Sequence, residues 1–179
     1  MDKHVLDVSL SMPFGNLYRE RHVLVIVQDR DGLLVTGLKS NFYPQGISRL
    51  LGGGVDQTET PEEAAKRELF EEIGATVSSV EPVAEVVITA RTSEQTFYLT
   101  TYLYFATIDN RFKAGDDVTS LKRLTVDQLF DLASKYENLR DDDVYVNGEY
   151  KHSWGDYGKV YGPIHRIAAE YVKRRSLTQ

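Results

Sequence analysis

Two β-rich apolar runs in the first third of the chain, set apart by polar positions, predict strands. Residues 22–27, rich in Val and Ile, and residues 33–38 flank Asp31-Gly32, the spacing of a β-hairpin. Residues 1–20 keep no clear period and are expected to form an arm or an irregular strand. Pro44 and Gly46 mark residues 41–46 as a loop, and a short apolar approach over 47–51 leads into Gly52-Gly53-Gly54, a tight backbone passage. A helix is expected next at 61–73. Thr60 suits the N-cap, Pro61 the first helical position, Glu63 completes a capping box, and Gly74 stands where a left-handed residue ends a helix.

Beyond that helix, residues 76–89 and 95–108, rich in Val, Thr, Tyr and Phe, predict antiparallel strands joined by a polar loop at 90–94. Residues 111–120 predict another polar loop. Thr125 and Gln128 repeat the capping-box pattern ahead of a helix at about 126–137 with apolar Leu129, Leu132, Ala133 and Tyr136. The polar, aromatic stretch 141–162 is expected to be a long loop or an irregular hairpin. Pro163 is expected to open a last helix over about 163–175, with Ile164, Ile167, Ala168, Tyr171 and Val172 on one stripe and Lys173-Arg174-Arg175 complementing its negative end. Strands, helix, strands and helices in this order predict an α+β domain, an α/β/α sandwich around a mixed sheet.

Length and composition narrow the chemistry. With 179 residues, no internal repeat and no break in composition, the chain is expected to be a single domain over 1–179. A formal charge of −6 excludes a sequence-wide footprint for duplex nucleic acid while leaving room for a local polyanion site. The chain has no cysteine, which removes disulfides, thiolate nucleophiles and Cys-ligated zinc. No apolar run approaches the roughly 18 residues of a membrane span, and the default location is the cytoplasm.

The informative segment runs from Gly53 to Ala75. Glu68, Glu71 and Glu72 stand at i, i+3 and i+4 and so share one arc of about 100° on the helix. Like charges at that spacing oppose helix formation unless something positive joins them. Oxygen donors without neighbouring Cys or His point to a hard cation, Mg²⁺ or Mn²⁺. Arg67 can grip a carboxylate, Ala65, Leu69 and Ile73 offer a docking stripe, and the glycines let backbone carbonyls approach.

Gly53, Glu59, Arg67, Glu68, Leu69, Glu71, Glu72 and Gly74 reproduce the spacing of the Nudix motif, and on these residues the chain resembles the Nudix hydrolases. Ala75, where a larger aliphatic is usual, and Leu51, where many members have proline, are the departures. The resemblance implies a Nudix-type fold and metal-dependent attack of water on a diphosphate that links a nucleoside to another group. It further implies metal ligation by Glu68, Glu71, Glu72 and the Gly52 carbonyl, an orienting role for Arg67, and structural support from Gly53, Glu59 and Gly74. The general base is left among Glu71, Glu72, Glu94, Asp116 and Asp117. Within the family, the long layout of this chain resembles the ADP-ribose or nucleotide-sugar pyrophosphatases. The proline typical of ADP-ribose hydrolases is not found around residues 90–93, so a nucleoside triphosphate pyrophosphohydrolase stands as the alternative. A binding domain without turnover is a second alternative. A diphosphate isomerase of the same fold would need a catalytic thiol, which this chain lacks.

Outside the motif, Tyr43 and Arg49 are candidate substrate contacts, together with Phe42. The aromatic segment 145–161 is read either as a base-stacking lid or as packing, with a homodimer contact as a further reading. His4, His22, His152 and His165 are scattered and are not expected to be catalytic, and His165 is read as a helix-boundary residue. The acidic balance has a location: residues 56–72 carry seven acids against Lys66 and Arg67. The expected partner is therefore a small nucleotide reached through bound cations, with no duplex nucleic acid and no membrane.

Overall fold

The computed structural model describes residues 1–14, 19–39, 42–109, 111–115, 118–148 and 150–178. Nine strands and three helices follow one another among them: β1 (Asp2–Ser9), β2 (Arg21–Gln28), β3 (Leu34–Leu38), β4 (Arg49–Leu50), α1 (Pro61–Ile73), β5 (Glu81–Arg91), β6 (Thr96–Thr107), β7 (Ser120–Leu124), α2 (Val126–Glu137), β8 (Val144–Asn147), β9 (Tyr150–Ser153) and α3 (Trp154–Ser176). Seven strands make one mixed sheet in the order β1-β5-β6-β2-β3-β4, with β7 paired to β3. β1 runs parallel to β5 and β2 parallel to β6, while β5 and β6 are antiparallel.

β2 shows why the order has three layers. Its apolar run is buried on both faces, so alternate side chains enter different cores. Val23, Val25 and Val27 pack with Ala64, Ala65, Leu69 and Ile73 of α1. Leu24 and Ile26 pack on the opposite side with residues of α2 and α3 such as Leu129, Tyr136, Ile164 and Ala168. The expected α/β/α sandwich around a mixed sheet is therefore observed.

Helices α1 and α2 occupy the expected residues because their signals are local. Thr60 and Thr125 each cap with a reciprocal box, to Glu63 and Gln128. Gly74 adopts φ 67°, and the Gly74 and Ala75 amides return to the carbonyls of Phe70 and Leu69. Four expectations need correction. Residues 2–9 form an edge strand, and the segment after it is held by tertiary contacts: the Ser11 and Met12 amides donate to the buried Asp156 carboxylate at 2.8 and 3.0 Å. Residues 76–80 precede the strand, which begins at Glu81. Ser120, expected in a polar loop, starts β7. That strand is pinned to the β2–β3 turn where Arg123 Nε donates to Asp29 Oδ2 at 2.6 Å.

The largest difference is at the last helix. β8 and β9 pair as antiparallel strands, and α3 begins at Trp154, capped by Ser153, so that Pro163 lies inside it. Gly155, Gly158 and Gly162 look like loop residues in the sequence but are contact residues. A Cβ on Gly158 would stand 2.0 Å from the Tyr136 carbonyl oxygen, and one on Gly155 would stand 2.6 Å from the Arg140 carbonyl carbon. The glycines let α3 close on the end of α2, and that approach offsets their poor helix propensity.

At an exposed helical position, Gly→Ala stabilises by about 1 kcal/mol. Gly158→Ala is expected to do the reverse, because the obstacle is backbone. A loss of about 3 kcal/mol is expected, which lowers the melting temperature by about 6–12 °C for a chain of this size. An unchanged thermal unfolding curve would contradict the close packing of α2 and α3.

Candidate functional site

The glycine triplet lies against β2 as a short antiparallel partner. Val25 N donates to Leu51 O at 2.8 Å, Val23 N to Gly53 O at 2.9 Å and Val55 N to Arg21 O at 3.1 Å. Gly52 has φ 137°, and a Cβ there would strike the Val23 carbonyl oxygen at 2.2 Å. This passage carries the chain past α1, whose glutamates meet it. A Cβ on Gly53 would stand 2.4 Å from Glu68 Oε1, and Gly52 N donates to Glu72 Oε2 at 2.8 Å.

Arg67 is the hub of the loop and the helix. Its Nη2 donates to Glu59 Oε1 at 2.7 Å and to the Gly54 carbonyl at 2.9 Å, and its Nε donates to Glu59 Oε2 at 3.2 Å. Nη1 donates to Glu68 Oε1 at 2.8 Å and to Glu71 Oε2 at 3.0 Å. Glu59 also accepts from Asp56 N at 2.9 Å. The Arg67 guanidinium holds the Glu59 carboxyl below its ordinary range, with the Asp56 amide adding to the effect. Glu68 and Glu72 are pushed the other way, above the ordinary carboxylate range, chiefly by burial.

The second cation is Arg49, from β4. It donates to the Gly52 carbonyl, and its Nη2 lies 4.0 Å from Glu72 Oε1. β4 is clamped from the helical layer on both sides of Arg49. Tyr136 Oη donates to Ser48 O at 2.7 Å, and Leu50 N donates to His165 Nε2 at 3.2 Å. Since Nε2 accepts, His165 Nδ1 carries the proton and donates to Tyr161 O at 2.7 Å. Burial holds His165 down at about 4, so the ring is neutral. It is a fully buried residue in the middle of α3, which corrects its reading as a helix boundary.

The glycine triplet, the glutamates of α1 and Arg49 border a cleft of about 860 Å³. Gly52, Gly53, Glu68, Glu71, Glu72, Arg49 and Tyr43 line it. Glu59 and Gly74 stand behind the lining, at the Arg67 hub and at the end of α1. Glu94 is not brought into the cleft: it is an exposed residue of the β5–β6 turn, its amide donating to Thr92 Oγ1 at 3.2 Å. Asp116 and Asp117 lie outside the described residues. His22, Arg19, Lys39 and Asn147 line the cleft without having been marked by the sequence. Only the alternation of β2, which sends His22 to the same side as Leu24, carries a signal for the first of them.

Among the described residues no three carboxylate or imidazole groups converge on one point as a ready cage for a metal ion. Glu68 and Glu71 turn to Arg67, and Glu72 turns to the Gly52 amide. The donor set nonetheless fits a hard divalent cation. It consists of carboxylates and a backbone carbonyl, and burial already disfavours ionised Glu68 and Glu72 unless a positive charge stands near.

A family model described as the NUDIX domain matches residues 18–146. The chain belongs to the Nudix family. It is a Nudix pyrophosphohydrolase by class, and Nudix proteins generally use a divalent metal. Solved structures share the fold. A MutT protein from Methanosarcina mazei superimposes with a TM-score of 0.52 at 16% identity, over 68% of this chain and 84% of that one. A MutT protein from Bacillus halodurans gives 0.52 at 23%, over 63% and 72%. The NUDIX domain of Shewanella oneidensis NrtR, solved with ADP ribose, gives 0.51 at 15%, over 84% and 89%. No curated protein sequence matches. No helix among the described residues is long and apolar enough to cross a membrane.

Arg67→Lys keeps the charge but loses the fork that joins Glu59, Gly54, Glu68 and Glu71. Its urea unfolding free energy is expected to fall by about 1–3 kcal/mol at neutral pH. Lys66→Ala, which removes an exposed pair with Glu62, is expected to cost under about 1 kcal/mol. Glu59 is depressed in the folded state, so its contribution is complete above the unfolded carboxylate pKa and is lost as pH falls through the depressed value. The gap between wild type and Arg67→Lys should narrow toward that acid limit. A gap independent of pH would contradict the pairing.

Proposed function

We propose that this Nudix protein hydrolyses a nucleoside diphosphate linked to a second moiety, in the manner of ADP-ribose or nucleotide-sugar pyrophosphatases. The observation that carries the reading is the joint placement of Glu68, Glu71, Glu72, the Gly52 carbonyl and Arg49 on one cleft. Glu68, Glu71, Glu72 and the Gly52 carbonyl would hold Mg²⁺ or Mn²⁺. When bound, such a cation neutralises diphosphate oxygens and acidifies a coordinated water.

Everything else falls to the chain's own groups. Arg67 orients Glu68 and Glu71 and fixes the helix to the glycine loop through Glu59 and Gly54. Arg49 presents its guanidinium to a phosphate oxygen, with Tyr43 beside it in the lining. Glu71 or Glu72 accepts the proton of the attacking water, since both line the cleft and Glu94 does not. The water oxygen joins one phosphorus and the bridging P–O bond breaks, leaving a nucleoside monophosphate and a phosphorylated second moiety.

The extent of the cleft supports a substrate with two large ends. It lies within the size range of sites that enclose a whole ligand. The ADP-ribose-bound NrtR domain, whose overlap reaches 84% of this chain, supports the same substrate class.

The test is a panel of ADP-ribose, nucleotide sugars and nucleoside triphosphates with Mg²⁺, Mn²⁺ or EDTA, read by mass spectrometry in ¹⁸O-water. Metal-dependent release of a monophosphate with one ¹⁸O in one of the two products is expected, and Glu72→Gln is expected to lose about 10²-fold or more in kcat/KM. Full activity in Glu72→Gln, or in EDTA, would overturn the assignment. Release of inorganic pyrophosphate from triphosphates alone would select the triphosphate reading.

A further inference from the structure

The cleft has a second half whose lining is aromatic. Phe42 and Tyr43 come from the segment before β4, Tyr145 from β8, Tyr150 from β9, and Tyr157 and Tyr161 from α3. β9 and α3 lie beyond residue 146, where the family match ends, so Tyr150, Tyr157 and Tyr161 come from outside the matched residues, while Phe42, Tyr43 and Tyr145 lie within them. The rings brace one another. Tyr157 and Tyr161 stack at 4.2 Å and 27°, and Tyr145 meets Phe42 edge-on at 5.1 Å. Buried Trp154 stands against Phe42, Tyr145 and Tyr157 at 5.5, 5.9 and 5.3 Å. Rigid rings of this kind offer contact area at low entropic cost.

Three polar atoms on this side of the cleft have unmet hydrogen bonds: Tyr157 Oη, which lies beside Tyr43 and Arg49, and two others. His22 Nδ1 and Tyr150 Oη are shielded from water and have no partner among the described residues. A buried polar atom without a partner is costly, and in a cleft wall a ligand can satisfy it. Both groups are uncharged. Burial, with Arg49 and Arg19 adding to it, holds the His22 imidazole well below its ordinary range, and burial pushes the Tyr150 phenol up. The acids that line the cleft among the described residues are Glu68, Glu71 and Glu72, on α1, so a cationic ring would find no counter-ion on the aromatic wall.

We propose that the aromatic half of the cleft is the receptor for the substrate's nucleobase, an uncharged heteroaromatic ring stacked among the Tyr145, Tyr150 and Tyr161 side chains and hydrogen-bonded by His22 Nδ1 and Tyr150 Oη. The assignment rests on the reading of the carboxylate half as a diphosphate site, because it gives the other end of that substrate its place. It also assigns specificity to β8, β9 and α3 rather than to the motif.

Trp154 is the one tryptophan of the chain and sits behind the wall, so its fluorescence reports occupancy. The full chain is titrated in EDTA with AMP, GMP, CMP, UMP and ribose 5-phosphate, followed by Trp emission and by calorimetry. Nucleoside monophosphates are expected to bind at least about tenfold more tightly than ribose 5-phosphate, as stacking of one base implies. Tyr145→Leu is expected to weaken them about tenfold and leave ribose 5-phosphate unchanged. Tyr150→Phe, which removes a single oxygen and keeps the ring, is expected to weaken them severalfold and carries the test if Tyr145→Leu does not fold. Ribose 5-phosphate binding as tightly as the monophosphates would overturn the proposal. So would wild-type affinity in the folded variants. Base-dependent binding without hydrolysis of any diphosphate refutes the hydrolase reading and leaves the receptor standing. Hydrolysis with equal KM for base-bearing and base-free diphosphates does the reverse.

Discussion

Three carboxylates crowded onto one turn of a helix are the constraint on which the rest of this structure depends. Glu68, Glu71 and Glu72 repel one another, and burial raises the cost for the first and the last. The protein meets this with two arginines from different directions. Arg67, on the same helix, draws Glu68 and Glu71 to a hub that includes Glu59 and Gly54. Arg49, on a strand, approaches Glu72 and holds the Gly52 carbonyl. Under the proposed function both cations would share the carboxylates with a metal ion and a phosphate, so the arrangement that makes the helix tolerable would also serve a polyanion.

Each supporting element has a part in holding that turn in place. α1 buries Ala64, Ala65, Leu69 and Ile73 on the sheet, which leaves its acidic arc turned toward the glycine passage. β2 stitches the passage in place by three backbone hydrogen bonds. The helical layer acts at a distance, clamping β4 through Tyr136 and His165 so that Arg49 enters the cleft from a fixed strand. The close approach of α3 to α2, permitted by Gly155, Gly158 and Gly162, brings Tyr157 and Tyr161 to the same cleft.

What is legible in the sequence follows how local each signal is. α1 and α2 are legible to the residue, because caps, boxes and stripes are written within a few positions of each helix end. The motif carboxylates are legible because helical periodicity alone puts them on one face. α3 is misread at its start because its glycines answer to Tyr136 and Arg140, residues of another segment, and a glycine's packing partner leaves no mark beside it. β1 and β7 are obscure for the same reason: one follows β5 as a parallel edge and the other is pinned through Arg123 to Asp29. Glu94 looks eligible as an acid in a turn near the motif's partners, but the turn is exposed and lies off the cleft.

The account turns on whether Glu68, Glu72 and the Gly52 carbonyl share one divalent cation. The most direct test is a crystal structure of the chain with Mn²⁺ and a non-hydrolysable diphosphate, with anomalous differences collected at the manganese edge. An anomalous peak in contact with Glu68, Glu72 and the Gly52 carbonyl is expected, with Arg49 moved from that carbonyl to a phosphate oxygen. A manganese peak elsewhere, or a diphosphate bound while Arg49 stays on Gly52 and no metal touches Glu72, would contradict it.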